Sequence, residues 1–216
     1  MPKTSVSSAL HDPISAILGT RGKVAVMRVL ASAGNPLQQR EVARRTGMAL
    51  RTVELAVDDL LATGIVERVA GGRERLVQVR SGHRLTPAIL AVLRAGADHW
   101  PALRGELRAA AASASDPSLL AVAIVGRAAT RDERLGDPVD LLILASDDVA
   151  AERWRVRYSD FSDGLRGRFG AELRPIGYGI ANARAMWAVR TLPAERTVQE
   201  AELIYGRSVL ELIGEE

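Results

Sequence analysis

The chain has 216 residues, a formal net charge of +3 and a hydrophobic content of 47%, enough for one large domain or two small ones with a sizeable core. It has no cysteine, which excludes disulfides, zinc ribbons and thiol catalysis. No apolar run reaches the roughly 18 to 20 residues of a membrane span, and residues 1–20 lack the charged start and apolar centre of a signal peptide, so a soluble, cytoplasmic protein with no membrane partner is expected. Aromatics are only 4%, so the core must be built mainly from Ala, Val, Leu and Ile. His11, His83 and His99 lie far apart in no ligand spacing, and neither a metal nor another cofactor is expected.

Charge is unevenly spread. Residues 1–84 carry 13 basic against 7 acidic side chains, residues 85–118 carry 3 of each, and residues 119–216 carry 13 against 16. A basic first third suggests an anionic partner, because Lys and Arg that neutralise phosphates release counterions. Of the basic residues only Lys3 and Lys23 are Lys. Arg favours bidentate phosphate and guanine contacts, but this usage beside so much Ala also reflects a GC-rich coding bias.

In residues 23–33, Val24, Met27 and Leu30 share a helical stripe that ends before Gly34-Asn35-Pro36. Residues 38–46 form a second short helix, with Val42 and Ala43 inward and Arg40, Arg44 and Arg45 outward, closed by Gly47. A third helix runs from Leu50 to Thr63, with Leu50, Val53, Ala56, Val57, Leu60 and Leu61 on its inner face and Gly64 at its end. A short helix, a glycine turn and a longer helix read as helix-turn-helix. Strands follow at 65–69 and 76–80 about the Ala70-Gly71-Gly72-Arg73 turn, completing a winged helix with Arg73 and Arg75 near the wing tip. The alternative is a helical bundle with a solvated arginine hairpin. Arg51 and Thr52 lie where base edges are usually contacted. Glu54 could accept from a cytosine amino group, while Asp58 and Asp59 would repel phosphate unless turned away or paired. The candidate DNA-binding residues are therefore Arg40, Arg44, Arg45, Arg51, Thr52, Arg73 and Arg75, with duplex DNA as partner and dimerisation as a way to double the contacts.

Residues 85–118 read as a helical connector. Leu85, Ile89 and Leu93, then Trp100, Leu103 and Leu107, give stripes suited to a helix pair that breaks or restarts at Pro101, or to a dimer interface. Ala114-Ser115-Asp116-Pro117-Ser118 is the expected domain boundary. Residues 119–216 then read as a small α/β domain with a mixed sheet, for an α+β fold overall. Strands are expected at 119–125, 139–145 and 172–180, and helices at 150–169, 182–189, 197–203 and 208–212. Trp154, Tyr158 and Phe161 are expected in the core, as are Met186 and Trp187.

The stretch Ile124-Val125-Gly126-Arg127-Ala128-Ala129-Thr130-Arg131-Asp132-Glu133, running on to Asp137-Pro138-Val139-Asp140-Leu141-Leu142, resembles the nucleotidyltransferase-like family. There a strand ends in Gly-Ser, an Ala-Arg-Gly loop follows, and Ser-Asp-x-Asp-Leu opens the next strand. The resemblance extends over nearly the whole chain, as a winged helix followed by a minimal nucleotidyltransferase-like domain, and the opening Ile14–Leu18 before Gly19-Thr20-Arg21-Gly22-Lys23-Val24 is similar too. It implies a triphosphate loop at the Gly-Ser pair and carboxylates that hold two magnesium ions. In this chain Arg127 stands at the serine position, Pro138 at the first aspartate and Arg174 near the third carboxylate, so only Asp140 survives. Using Asp137 instead gives Asp-x-x-Asp, whose acids strand alternation sends to opposite faces. The resemblance thus implies a retained fold without catalysis, with Gly126, Arg127 and Asp140 as a vestigial nucleotide site. Arg127, Arg131 and Arg134 could still attract a phosphate, or Asp140 could pair with Arg127 or Arg131. The reading is a non-enzymatic, DNA-binding transcriptional regulator whose second domain serves dimerisation, effector sensing or partner binding. The alternatives are an antitoxin-like protein that neutralises a partner and an active nucleotidyltransferase.

Overall fold

A computed structural model describes residues 13–71, 74–134, 136–189 and 197–214. The chain folds as two compact units, Met1–Ala97 and Asp98–Glu216.

The first unit opens with α1 (Pro13–Leu18) and α2 (Arg21–Ala33). The Thr20 side chain caps α2 by accepting from the Lys23 amide, and Gly34 ends it in the left-handed conformation. A two-residue strand, β1 (Leu37–Gln38), leads into α3 (Gln39–Thr46). Gly47, also left-handed, closes α3, and α4 (Leu50–Ala62) follows. The hairpin of β2 (Val66–Gly71) and β3 (Glu74–Val79) completes the unit's sheet in the order β1-β3-β2. The unexpected strand is β1, which pairs antiparallel with β3, Leu37 opposite Val77. Two residues carry no periodicity, so only the partner strand makes this segment recognisable as one. The core is built as the apolar spacing requires. Val26, Met27 and Leu30 of α2, Val42 and Ala43 of α3, and Val53, Ala56, Val57 and Leu60 of α4 are buried with Val77. Val24, Leu50 and Leu61 sit partly buried at its margin.

The expected helix pair is a single helix, α5 (Thr86–Ala112), which runs through Pro101. Proline removes only its own amide and crowds the carbonyl four residues earlier, here Ala97, where the two units divide. Helix-forming residues continue on both sides, and each half has its own apolar stripe. Ile89 and Leu93 join the first core, and Leu103, Leu107 and Ala111 join the second.

The second unit is a four-stranded mixed sheet in the order β6-β5-β4-β7. It contains β4 (Leu119–Val125), the four-residue α6 (Arg127–Thr130), β5 (Val139–Ala145), the long α7 (Asp148–Phe169), β6 (Leu173–Gly179), α8 (Ile180–Ala188), β7 (Glu202–Gly206) and α9 (Val209–Gly214). β4 is antiparallel to both β5 and β7, while β5 and β6 are parallel and joined through α7. The helix expected over residues 197–203 is replaced by helical residues 197–199 and then by β7. Short apolar runs are ambiguous between the two periods, and the free edge of β4 decides for strand by offering a ladder.

One sheet face packs Val122, Ile124, Leu141 and Ile143 against Trp154, Tyr158 and Leu165 of α7. The Tyr158 hydroxyl donates to the Leu107 carbonyl at 2.9 Å, and burial pushes its phenol up from the ordinary value. Phe161 packs partly buried at the edge of this core. The loop expected as a boundary is tied to α7, since Asp116 accepts from the Trp154 indole at 3.2 Å and from Arg153 at 3.3 Å. On the other face Ala121, Ala123 and Leu144 meet Ala183 of α8 and Val209, Leu212 and Ile213 of α9. Met186, expected in the core, is 47% exposed, and Trp187 is only partly buried. The short helix α8 turns just one residue in nine, Ala183, fully inward.

Candidate functional site

α3, the Gly47 turn and α4, backed by α2 and followed by the β2–β3 hairpin, make the first unit a winged helix-turn-helix. The inner face of α4 is used up by Val53, Ala56, Val57 and Leu60, so the helical period turns Arg51 and Thr52 outward, and both are exposed. Residue Ala49 provides no side-chain cap for α4, and its carbonyl accepts from the Thr52 and Val53 amides at 3.0 and 3.2 Å. Glu54 stands 3.6 Å from the Arg51 guanidinium.

The two aspartates that weigh against phosphate contact are both neutralised. Asp58 meets Arg68 at 3.3 Å, and Asp59 meets Lys23 at 3.0 Å. Sequence spacing could not reveal these partners, because Lys23 comes from α2 and Arg68 from β2. On α3 the expected arginines are less free than they looked. Glu41 accepts from Arg44 at 2.8 and 2.6 Å and from Arg45 at 2.6 Å. These hydrogen bonds, Arg44 first, hold the Glu41 carboxyl down at about 2. The spacings, three and four residues along one helix, were a readable signal for this clamp. Arg40 is exposed and has no ion-pair partner among the described residues. Arg73 lies outside the described residues, and Arg75 is described only through its backbone, opposite Ala70 in the hairpin.

Of the three residues expected to form a nucleotide site, Gly126 and Asp140 lie close together at the ends of β4 and β5, and Arg127 follows Gly126 at the start of α6. Gly126 has φ of 69°, and a Cβ there would lie 3.2 Å from an Asp140 carboxylate oxygen. This left-handed residue both turns the chain into α6 and leaves room for Asp140. The expected pairing of Asp140 with Arg127 or Arg131 is corrected by the structure. Asp140 accepts from Arg174, with Nε at 2.5 Å and Nη2 at 2.8 Å. The parallel register sets the two side by side on β5 and β6. Arg127 instead meets Asp137 at 3.2 Å and donates to the Asp132 carbonyl. Arg174 stands near the expected third carboxylate and binds Asp140, while Asp137 is held by Arg127. Among the described residues no three His, Asp or Glu side chains are grouped to hold a metal ion, and no helix is long and apolar enough to cross a membrane.

No protein-family model matches the sequence, and no curated protein is detectably similar to it. Among solved structures, the chain is similar to a solution structure from Mycobacterium bovis, the homodimeric winged helix-turn-helix DNA-binding domain of residues 1–100. The two are 20% identical, with 46% of this chain and 92% of that one covered, at a TM-score of 0.36. It is also similar to a crystal structure of the same length from Mycobacterium bovis, titled a "possible transcriptional regulatory protein". That pair is 21% identical, with 42% of this chain and 97% of that one covered, at a TM-score of 0.34.

Proposed function

We propose that the chain is a transcriptional regulator that reads duplex DNA through its winged helix, as a homodimer, and that its second unit is a nucleotidyltransferase-like domain used for dimerisation, effector sensing or partner binding rather than catalysis. The observation that carries the DNA reading is the exposed start of α4. Arg51 and Thr52 are exposed there, Arg40 is exposed on α3, and the acids further along α4, Asp58 and Asp59, are already paired. In that geometry α4 enters the major groove by its N-terminal turn and the wing meets the backbone. The non-catalytic reading of the second unit is supported by the Arg174–Asp140 pair. A guanidinium there competes for the carboxylate that a magnesium ion would need.

The test is fluorescence anisotropy of the protein against genomic duplex fragments at two salt concentrations. Binding that falls steeply with salt while a few fragments are retained is expected for a sequence-reading regulator. Arg51→Ala should then weaken retained fragments by about 1–3 kcal/mol and relax their selectivity. Absence of binding at low salt overturns the reading and directs the search to protein partners, by partner capture.

A further inference from the structure

The two faces of the second unit's sheet are filled very differently. Large side chains from α7, Trp154, Tyr158 and Leu165, close one face. On the other, Leu144 of the sheet, the small Ala183 of α8 and Val209 and Ile213 of α9 border a cavity of about 340 Å³ between the sheet and these helices. The space opens to solvent, and small-molecule sites begin at about 300 Å³. Among the described residues no Asp, Glu, Lys or Arg lines the cavity, and the polar side-chain groups they bring to it are the hydroxyls of Tyr178 and Thr197 and the indole N–H of Trp187. Met186, half exposed, lines it too.

Strand alternation places Leu142 and Leu144 on the same face as Asp140, and Ile176 and Tyr178 on the same face as Arg174. The charged pair therefore sits on the cavity's own sheet face but outside its lining, with each charge satisfied by the other. Arg127 is likewise engaged, by Asp137. Among the described residues of the lining a phosphate would find no cation and mostly hydrocarbon, and burying an anion without a partner is strongly unfavourable. An uncharged ring system would lose nothing and would stack against Trp187 and Tyr178.

We infer that the second unit binds an uncharged aromatic small molecule, of about the size of a two-ring system, in the cavity between the sheet and helices α8 and α9. The inference rests on the effector reading of this unit, but not on DNA binding, and it is measured without DNA.

The test is titration of the full-length protein with N-phenyl-1-naphthylamine, an uncharged probe whose emission rises in apolar surroundings. A saturable, one-to-one rise is expected, with energy transfer from Trp187 that Trp187→Phe diminishes while binding persists. Indole should displace the probe, and ATP should not. Ala183→Phe, which fills the cavity, should weaken probe binding at least tenfold. Met186→Trp, at a half-exposed position, should weaken it severalfold without threatening the core, and circular dichroism reports whether each variant is folded. Val149→Ser, at an exposed α7 residue outside the lining, should leave binding unchanged. A non-saturable rise, binding unaffected in folded Ala183→Phe and Met186→Trp, or displacement by ATP as readily as by indole overturns the proposal. Failure of duplex binding alone leaves these readouts unaltered.

Discussion

Glu41 decides how much of the basic character of α3 reaches solvent. One carboxylate clamps both Arg44 and Arg45, so two of the four helix arginines offered to DNA are already partly neutralised. Glu41→Gln should tighten duplex binding and steepen its salt dependence by at most about two units, the count of guanidinium groups released; unchanged affinity and slope would place α3 away from the DNA. The same clamp has a pH signature. Because the folded carboxyl lies at about 2, below its ordinary 4.5, the stability it contributes is fully present above pH 4.5 and is lost as pH falls toward 2. In an NMR titration the Glu41 carboxyl should have its midpoint near 2, and Arg44→Ala should move it upward. The Arg174–Asp140 pair is different in kind. Its arginine side chain is 63% exposed, so solvent screens the attraction, and Arg174→Ala should cost less than about 1 kcal/mol in urea unfolding.

At the scale of elements, local sequence and tertiary partners contribute unequally. α2 and α3 could be bounded from the chain alone, because Thr20, Gly34 and Gly47 are chemically suited to helix ends. α5 departs from the local rule at Pro101. Restoring the missing amide with Pro101→Ala should raise the unfolding free energy by about 1–3 kcal/mol; a decrease would mean that the proline's own packing matters more than its lost hydrogen bond. At the end of β7 the chain must turn sharply away from the sheet. Gly206 does so with φ of 83°, and a Cβ there would fall 2.0 Å from the Leu120 carbonyl oxygen. Gly206→Ala combines a left-handed backbone with a backbone clash and should cost more than about 2 kcal/mol in thermal or urea unfolding.

At the scale of the whole molecule, two separate cores lie along one chain. The first is complete by Leu93, and the buried residues of the second begin at Leu103. The charge follows the same division, basic in residues 1–84 and slightly acidic in residues 119–216, as expected when one part meets a polyanion and the other does not. Hydrogen exchange provides the corresponding test. Duplex DNA should slow exchange at the start of α4 and in the β2–β3 hairpin while leaving β4 and β5 unchanged. Protection of β4 and β5 by DNA alone would contradict this division of labour.

The three helices within residues 23–62 were legible by themselves, since their inner faces repeat at the helical period and glycines mark their ends, and that pattern is local. The strands at 119–125 and 139–145 were equally plain as apolar runs. β1 and β7 were not, because each becomes a strand only through the free edge of another. The vestigial site was half legible. The resemblance alone implied carboxylates at Pro138 and Arg174, and the partner of Asp140 depended on the parallel register of β5 and β6, in which residues 34 apart in sequence lie side by side. The cavity was not legible at all, since its lining comes from β4, β5, β6, α8, α9 and residues 197–198, which only tertiary packing brings together.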